Sequence, residues 1–202
     1  NYGYISLPSG RMKSRDGTVI DADDLINEVV ENSYQKLIEN NPKSNTKTLR
    51  KKAEIIGVGA IKFQFLKVDT FSDFVFDPKK SVELTGDTSV YLQYTYARIS
   101  SLLKKSPIKQ AVFSRFNIND IILMKDEVSL MRELNSYDES IVKAMETYNP
   151  SFLCKKLLDI ANVYNNFYQK NRIIDLEDKK LQKIRLFLSY VTKEYIKHGL
   201  KL

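Results

Sequence analysis

Apolar residues recur at helical spacing along most of the chain. Leu25, Val29 and Leu37, with Ile26 and Val30 beside them, form a stripe that predicts a helix over about 22–40. Asp21 precedes it as an N-cap, and Asp23 and Asp24 fill the first turn, where carboxylates oppose the helix dipole. Asn40-Asn41-Pro42-Lys43-Ser44-Asn45 stops that helix. A second helix opens at Thr46 or Thr48 and carries Lys47, Arg50, Lys51 and Lys52 on its solvent side. It continues through Ile56-Gly57-Val58-Gly59-Ala60-Ile61-Lys62-Phe63. Two glycines without a third, and without a preceding strand, fit close helix packing better than a phosphate-cradling loop. Residues 3–7 read as a short strand, and 75–78 and 82–84 as extended pieces around turns.

Beyond Thr88 the helical signal lengthens. One helix ends at Lys104-Lys105-Ser106-Pro107, and 106–126 is loop-rich with a short helix near 118–124. Leu130, Leu134, Tyr137, Ile141, Met145 and Tyr148 predict one long amphipathic helix. Asn149-Pro150 is a cap and first-position signal for the next, which carries Leu153, Leu157, Ile160, Ala161, Tyr164, Phe167 and Tyr168. The last helix spans about 178–198, with Gly199 as a C′ terminator. The expected fold is mainly α: a helical bundle over 88–202, preceded by a smaller, mostly helical region over 1–87.

Composition narrows the partners. The 202 residues carry a formal net charge of +7, which points to a polyanion, nucleic acid before anionic membrane. One cysteine, Cys154, and one histidine, His198, exclude an intrachain disulfide and a Cys/His zinc site within this chain. That cysteine usage indicates a reducing, cytoplasmic setting. No apolar run approaches the ~20 residues of a membrane span. The chain opens on Asn1 rather than Met, which suggests a piece of a longer protein.

Candidate chemistry begins at Arg11-Met12-Lys13-Ser14-Arg15-Asp16-Gly17, three cations in five residues between Pro8-Ser9-Gly10 and an Asp-Gly turn. This is a cationic loop of the kind that neutralises phosphate oxygens; the bland alternative is a solvated basic turn. The stretch, followed by Val19-Ile20 and Asp23-Asp24-Leu25, resembles the KMSKS signature loop in the form seen in arginyl-tRNA synthetases, a class I aminoacyl-tRNA synthetase family. Gly57-Val58-Gly59-Ala60-Ile61-Lys62-Phe63 resembles that family's G-x-G-A-x-K-aromatic segment. Gly86-Asp87-Thr88-Ser89-Val90-Tyr91-Leu92-Gln93-Tyr94-Thr95-Tyr96-Ala97-Arg98 is similar to the opening of its anticodon-binding (DALR) domain, with Asp87 and Val90 in place of the usual Asn and Pro. The run ending Asn165-Asn166-Phe167-Tyr168, then Arg172-Ile173, resembles the family's L-A-x-x-F-N-x-F-Y-x-x-x-R-V segment.

The resemblance implies the C-terminal part of an arginine–tRNA ligase. Residues 1–87 would close the class I catalytic domain, and 88–202 would be the anticodon-binding bundle. The HIGH-motif Rossmann domain and arginine pocket lie outside the 202 residues, so the chain alone is expected to be inactive. The implied partners are tRNA(Arg), and in the full enzyme arginine and ATP, with Mg2+ on the pyrophosphate and no protein-bound metal. A monomer is expected. Arg11, Lys13 and Arg15 are the catalytic candidates, and Met12 and Ser14 join them around ATP. Ser14 stands where the signature has a second lysine, which leaves open which cation reaches the phosphate. No general base is implied, because the substrate carboxylate is itself the nucleophile. Tyr94 and Arg98, four apart on one helix face, offer stacking and bidentate hydrogen bonding to an unpaired base, the family's middle-anticodon cytosine. Tyr168 and Gln93 follow as further anticodon candidates, with Tyr91 and Tyr96 read as core aromatics. Lys104, Lys105, Lys155, Lys156, Lys170 and Arg172 are candidates for phosphate contacts. Two other readings remain: a stand-alone, non-catalytic tRNA-binding module, and a helical protein–protein adaptor.

Overall fold

The computed structural model describes residues 3–8, 10–11, 21–106, 122–174 and 177–202. It divides into two compact units, Asn1–Tyr91 with Asn149–Ser151, and Leu92–Tyr148 with Phe152–Leu202. Helices dominate the described residues, as the periodicity predicts.

In the first unit, β1 (Ile5–Leu7) pairs antiparallel with β2 (Gly10–Arg11) and parallel with β3 (Phe74–Val75), in the order β2-β1-β3. Gly10 makes the reversal with φ of +122°, a conformation that glycine alone adopts without strain. The helices α1 (Ala22–Asn40) and α2 (Thr46–Leu66) pack along each other. Asp21 caps α1 by accepting from the Asp23 amide. The cap of α2 is Asn45, which accepts from Lys47 and Thr48 and places the start at Thr46. Gly57 lets the helices approach: a Cβ there would sit 2.9 Å from the Val30 Cα. Leu7, Val29, Ala60, Phe76, Val82 and Val90 form one core cluster. Of the stretch expected to be extended at 82–84, Val82 instead ends a 3-10 turn, Lys80–Val82, whose start is held by Asp77 accepting from the Lys79 and Lys80 amides, while Glu83 after it is extended.

The helix α3 (Ser89–Lys105) opens despite the Asp87 and Val90 departures, because the Thr88 hydroxyl accepts from the Tyr91 amide while donating to the Glu83 carbonyl.

In the second unit the long helix expected through Tyr148 is two, α4 (Lys125–Asn135) and α5 (Tyr137–Glu146). The break falls at Ser136, whose hydroxyl lies within bonding distance of the Arg132 and Glu133 carbonyls, and such side-chain bonds compete with the helical ladder. Tyr148, with φ of +51°, ends the segment. The helix α6 (Ser151–Lys170) starts at Asn149, whose Oδ1 accepts from the Ser151 amide. The helix α7 (Lys179–Gly199) is capped by Asp178. Gly199 is not a left-handed terminator; it is the last residue of α7, and a Cβ there would meet Leu157 at 2.6 Å. Close packing, not chain reversal, is its use. Leu92, Ile99, Leu130, Ile160, Tyr164 and Ile196 form the centre of this unit with no exposed surface. The short helix expected near 118–124 falls largely outside the described residues, and 122–124 is not helical.

Candidate functional site

On α3, Tyr94 and Arg98 lie one turn apart and share a face. On α6, Asn165 and Tyr168 do the same. The bundle packs these faces so that the Arg98 guanidinium lies between two phenol rings, 4.7 Å from the Tyr94 centroid and 5.2 Å from that of Tyr168. Nη1 donates to Asn165 Oδ1 at 2.6 Å and Nη2 to Tyr94 Oη at 3.2 Å. Asn165 is 6% exposed, and its Nδ2 donates to the buried Thr95 hydroxyl at 2.8 Å. An amide therefore orients the guanidinium, and no carboxylate among the described residues pairs with it. Among the described residues two of its five donors are engaged, which leaves Arg98 capacity to donate to a ligand. Tyr94 is 44% exposed, so one side of this stack is open.

The arrangement borders a cavity of about 500 Å³, within the range of small-ligand sites. Tyr94, Arg98, Lys105, Tyr168, Asn171 and Arg172 line it, with Leu102 and Ile173 as buried apolar walls. Three cations and no carboxylate line it among the described residues. Beneath it Tyr164, fully buried, donates to the Ser189 hydroxyl, and burial raises its phenol pKa. Flat aromatic faces, a planar fork of donors and a cationic rim suit a planar, polar ligand attached to an anion.

The model of the DALR anticodon binding domain matches residues 92–202, more than half of the chain. The chain belongs to the DALR anticodon-binding family. A second model, the catalytic domain of class I (R) tRNA synthetases, matches residues 1–78. Arginine–tRNA ligases of Porphyromonas gingivalis and Flavobacterium psychrophilum are 33% and 37% identical over the whole of this chain. The chain spans about a third of the length of these relatives, 34% and 33%. Among solved structures, the Thermus thermophilus arginyl-tRNA synthetase covers 99% of this chain with 33% of its own length, at 23% identity and a TM-score of 0.85, a likeness of fold.

The DALR bundle brings Tyr94, Arg98 and Tyr168 together. Gln93 is half-buried and does not line the cavity. Tyr91 and Tyr96 are only partly buried, and Tyr96 faces Lys193, whose Nζ is 6.0 Å from its ring centroid. Lys105 and Arg172 border the cavity, and Lys104, Lys155 and Lys170 are exposed. Lys156 is not a free cation: it bonds Glu133 at 2.6 Å and the Ser136 hydroxyl at 3.0 Å, as a tie within the bundle. Asn165 is the residue at Arg98 that residue-type reasoning missed. It stands in the Asn165-Asn166-Phe167-Tyr168 stretch, where only the packing of α6 on α3 reveals which asparagine faces Arg98.

In the first unit, Gly10 and Arg11, the start of the cationic stretch, form β2. Met12, Lys13, Ser14 and Arg15 lie outside the described residues. Among the described residues, no group of three or more His, Cys, Asp or Glu side chains is placed to hold a metal ion, and no helix is long and apolar enough to cross a membrane.

Proposed function

We propose that this chain is the C-terminal part of an arginine–tRNA ligase, and that the DALR bundle grips the anticodon loop of tRNA(Arg). The observation that carries this reading is the Arg98 guanidinium held between Tyr94 and Tyr168 at the edge of a cation-lined cavity. An unpaired base stacks on the exposed face of Tyr94, takes hydrogen bonds from the remaining Arg98 donors, and is a cytosine in the middle anticodon position. Lys105 and Arg172 meet the flanking phosphates. Residues 1–87 close the catalytic domain, and 88–202 bind the anticodon.

In the same reading Arg11, Lys13 and Arg15 approach the pyrophosphate of ATP as arginine is activated. Their charge stabilises the transition state more than the bound substrate, because negative charge gathers on the leaving oxygens. Met12 anchors the loop, and Mg2+ arrives on the pyrophosphate. The enzyme works in the cytoplasm as a monomer, and these 202 residues alone do not catalyse the ligation.

The test is binding of the 202-residue chain to tRNA(Arg) transcripts carrying cytosine or adenine at the middle anticodon position, with and without Arg98→Ala. The reading expects the cytosine form to bind tighter, and Arg98→Ala to weaken it more than the adenine form. Equal loss for both would make Arg98 a structural residue.

A further inference from the structure

One wall of the cavity is the segment that follows α6: Asn171, Arg172, Ile173 and Ile174. Asn171 also bonds back to the helix, its Nδ2 donating to the Phe167 carbonyl at 3.1 Å. A buried ion pair, remote from the Arg98 stack in the bonding pattern, holds this wall. Glu127 has no exposed surface and Arg185 is 7% exposed. Arg185 Nε donates to Glu127 Oε1 at 2.6 Å, Nη1 to the Arg172 carbonyl at 2.7 Å, and Nη2 to Asn171 Oδ1 at 3.2 Å. Asn171 Nδ2 in turn donates to Asp126 Oδ2 at 2.9 Å, and the Met124 amide donates to Glu127 Oε2 at 2.9 Å.

One guanidinium therefore ties the first turn of α4, the end of α6 and the body of α7. Only one of its three bonds is needed to neutralise Glu127. The other two end on consecutive residues of the cavity wall, on one backbone carbonyl and one side chain. A planar fork can satisfy three acceptors in fixed directions, and an ammonium on a flexible stem cannot. A bundle that needed only charge balance at this place would be served by lysine or by an apolar pair.

We infer that Arg185 is a positioning residue for the cavity: it holds Asn171 and Arg172 in place, and through them sets how well the site distinguishes one base from another. The inference rests on the anticodon reading above. Its test uses the 202-residue chain and a short RNA stem-loop with unpaired cytosine or adenine at the middle anticodon position. Arg185→Lys keeps a cation beside Glu127 while removing the fork. Expected are a thermal midpoint within a few degrees of the parent, hydrogen exchange in the 171–174 peptide about tenfold faster, and a cytosine-to-adenine affinity ratio at least about threefold lower. Unchanged exchange or an unchanged ratio in a folded variant overturns the inference. Absence of discrimination in the parent chain overturns the anticodon reading instead, before any variant is made. Should Arg185→Lys not fold, the apolar double replacement of Glu127→Leu with Arg185→Met is held to the same two measurements. If neither folds, Arg185 determines the fold itself and the inference fails.

Discussion

A single guanidinium illustrates how a side chain is made available without being made mobile. Arg98 is oriented by Asn165 from below and flanked by two rings, so its conformational entropy is already lost before a ligand arrives. Tyr94→Ala removes one ring and is expected to weaken binding of the cytosine stem-loop by about 1–3 kcal/mol. Tyr94→Phe, which keeps the ring, should bind within about threefold of the parent, and equilibrium titrations of both variants measure the difference. Stability at this scale turns on another tyrosine. Tyr137 is 2% exposed, stacks on Tyr195 at 4.5 Å, and its hydroxyl meets His198 Nδ1 at 2.8 Å. Burial pushes its phenol up to about 12, with Asp138 adding to the effect. The folded chain thus holds that proton more tightly than the unfolded chain. The contribution is complete below the ordinary tyrosine value near 10 and is lost as pH rises towards 12. Tyr137→Phe should cost about 1 kcal/mol at neutral pH through the lost hydrogen bond, and urea unfolding should show a shallower loss of stability between pH 10 and 12.

At the scale of elements, helices were legible wherever period and cap agreed. Asp21 caps as its position before an apolar stripe predicts. Reading failed where a side-chain bond or a tertiary contact decided the outcome. Ser136 interrupts an unbroken apolar stripe between α4 and α5, and hydrophobic spacing is blind to a hydroxyl near the carbonyls of the preceding turn. Gly199 looks like a chain terminator in sequence because glycine serves both left-handed turns and close packing, and only its proximity to Leu157 separates the two. The site divides the same way. The Tyr94 and Arg98 pair follows from helical spacing, but Asn165 and Arg185 depend on which faces of α3, α6 and α7 meet. Gly57 offers a test with opposed signs. Glycine to alanine inside a helix should stabilise by about 1 kcal/mol from propensity alone. Against that, the new Cβ would lie 2.9 Å from the Val30 Cα, a backbone atom that cannot rotate away. Overpacking of this kind costs about 1–3 kcal/mol, so Gly57→Ala is expected to lower the urea midpoint. A raised midpoint would mean that α1 and α2 separate easily.

For the whole molecule, the excess of positive charge matters through where it lies. Basic side chains number 32 against 25 acidic ones, a modest surplus. Several are already engaged: Lys156 with Glu133, Arg185 with Glu127, and Arg50 with Glu31, where the arginine's hydrogen bond lowers the carboxyl pKa. Cations bound to carboxylates release no counter-ion when RNA arrives, so net charge overstates the electrostatic contribution. Among the described residues of the DALR bundle, Lys105 and Arg98 at the cavity, with exposed Lys104, Lys155 and Lys170, are the candidates of the proposed reading for meeting phosphates. If about three to five of these meet phosphates of a single-stranded loop, the logarithm of affinity should fall against the logarithm of salt with a slope of about −2 to −3.5. Replacing Lys105 by Ala should reduce that slope by about 0.7 and weaken cytosine and adenine stem-loops alike. Arg98→Ala should instead change their ratio. Titrations of the two stem-loops at several salt concentrations separate these behaviours. A slope near zero would remove the cationic rim from the account, and a Lys105→Ala effect confined to one base would move that lysine from phosphate contact to base reading.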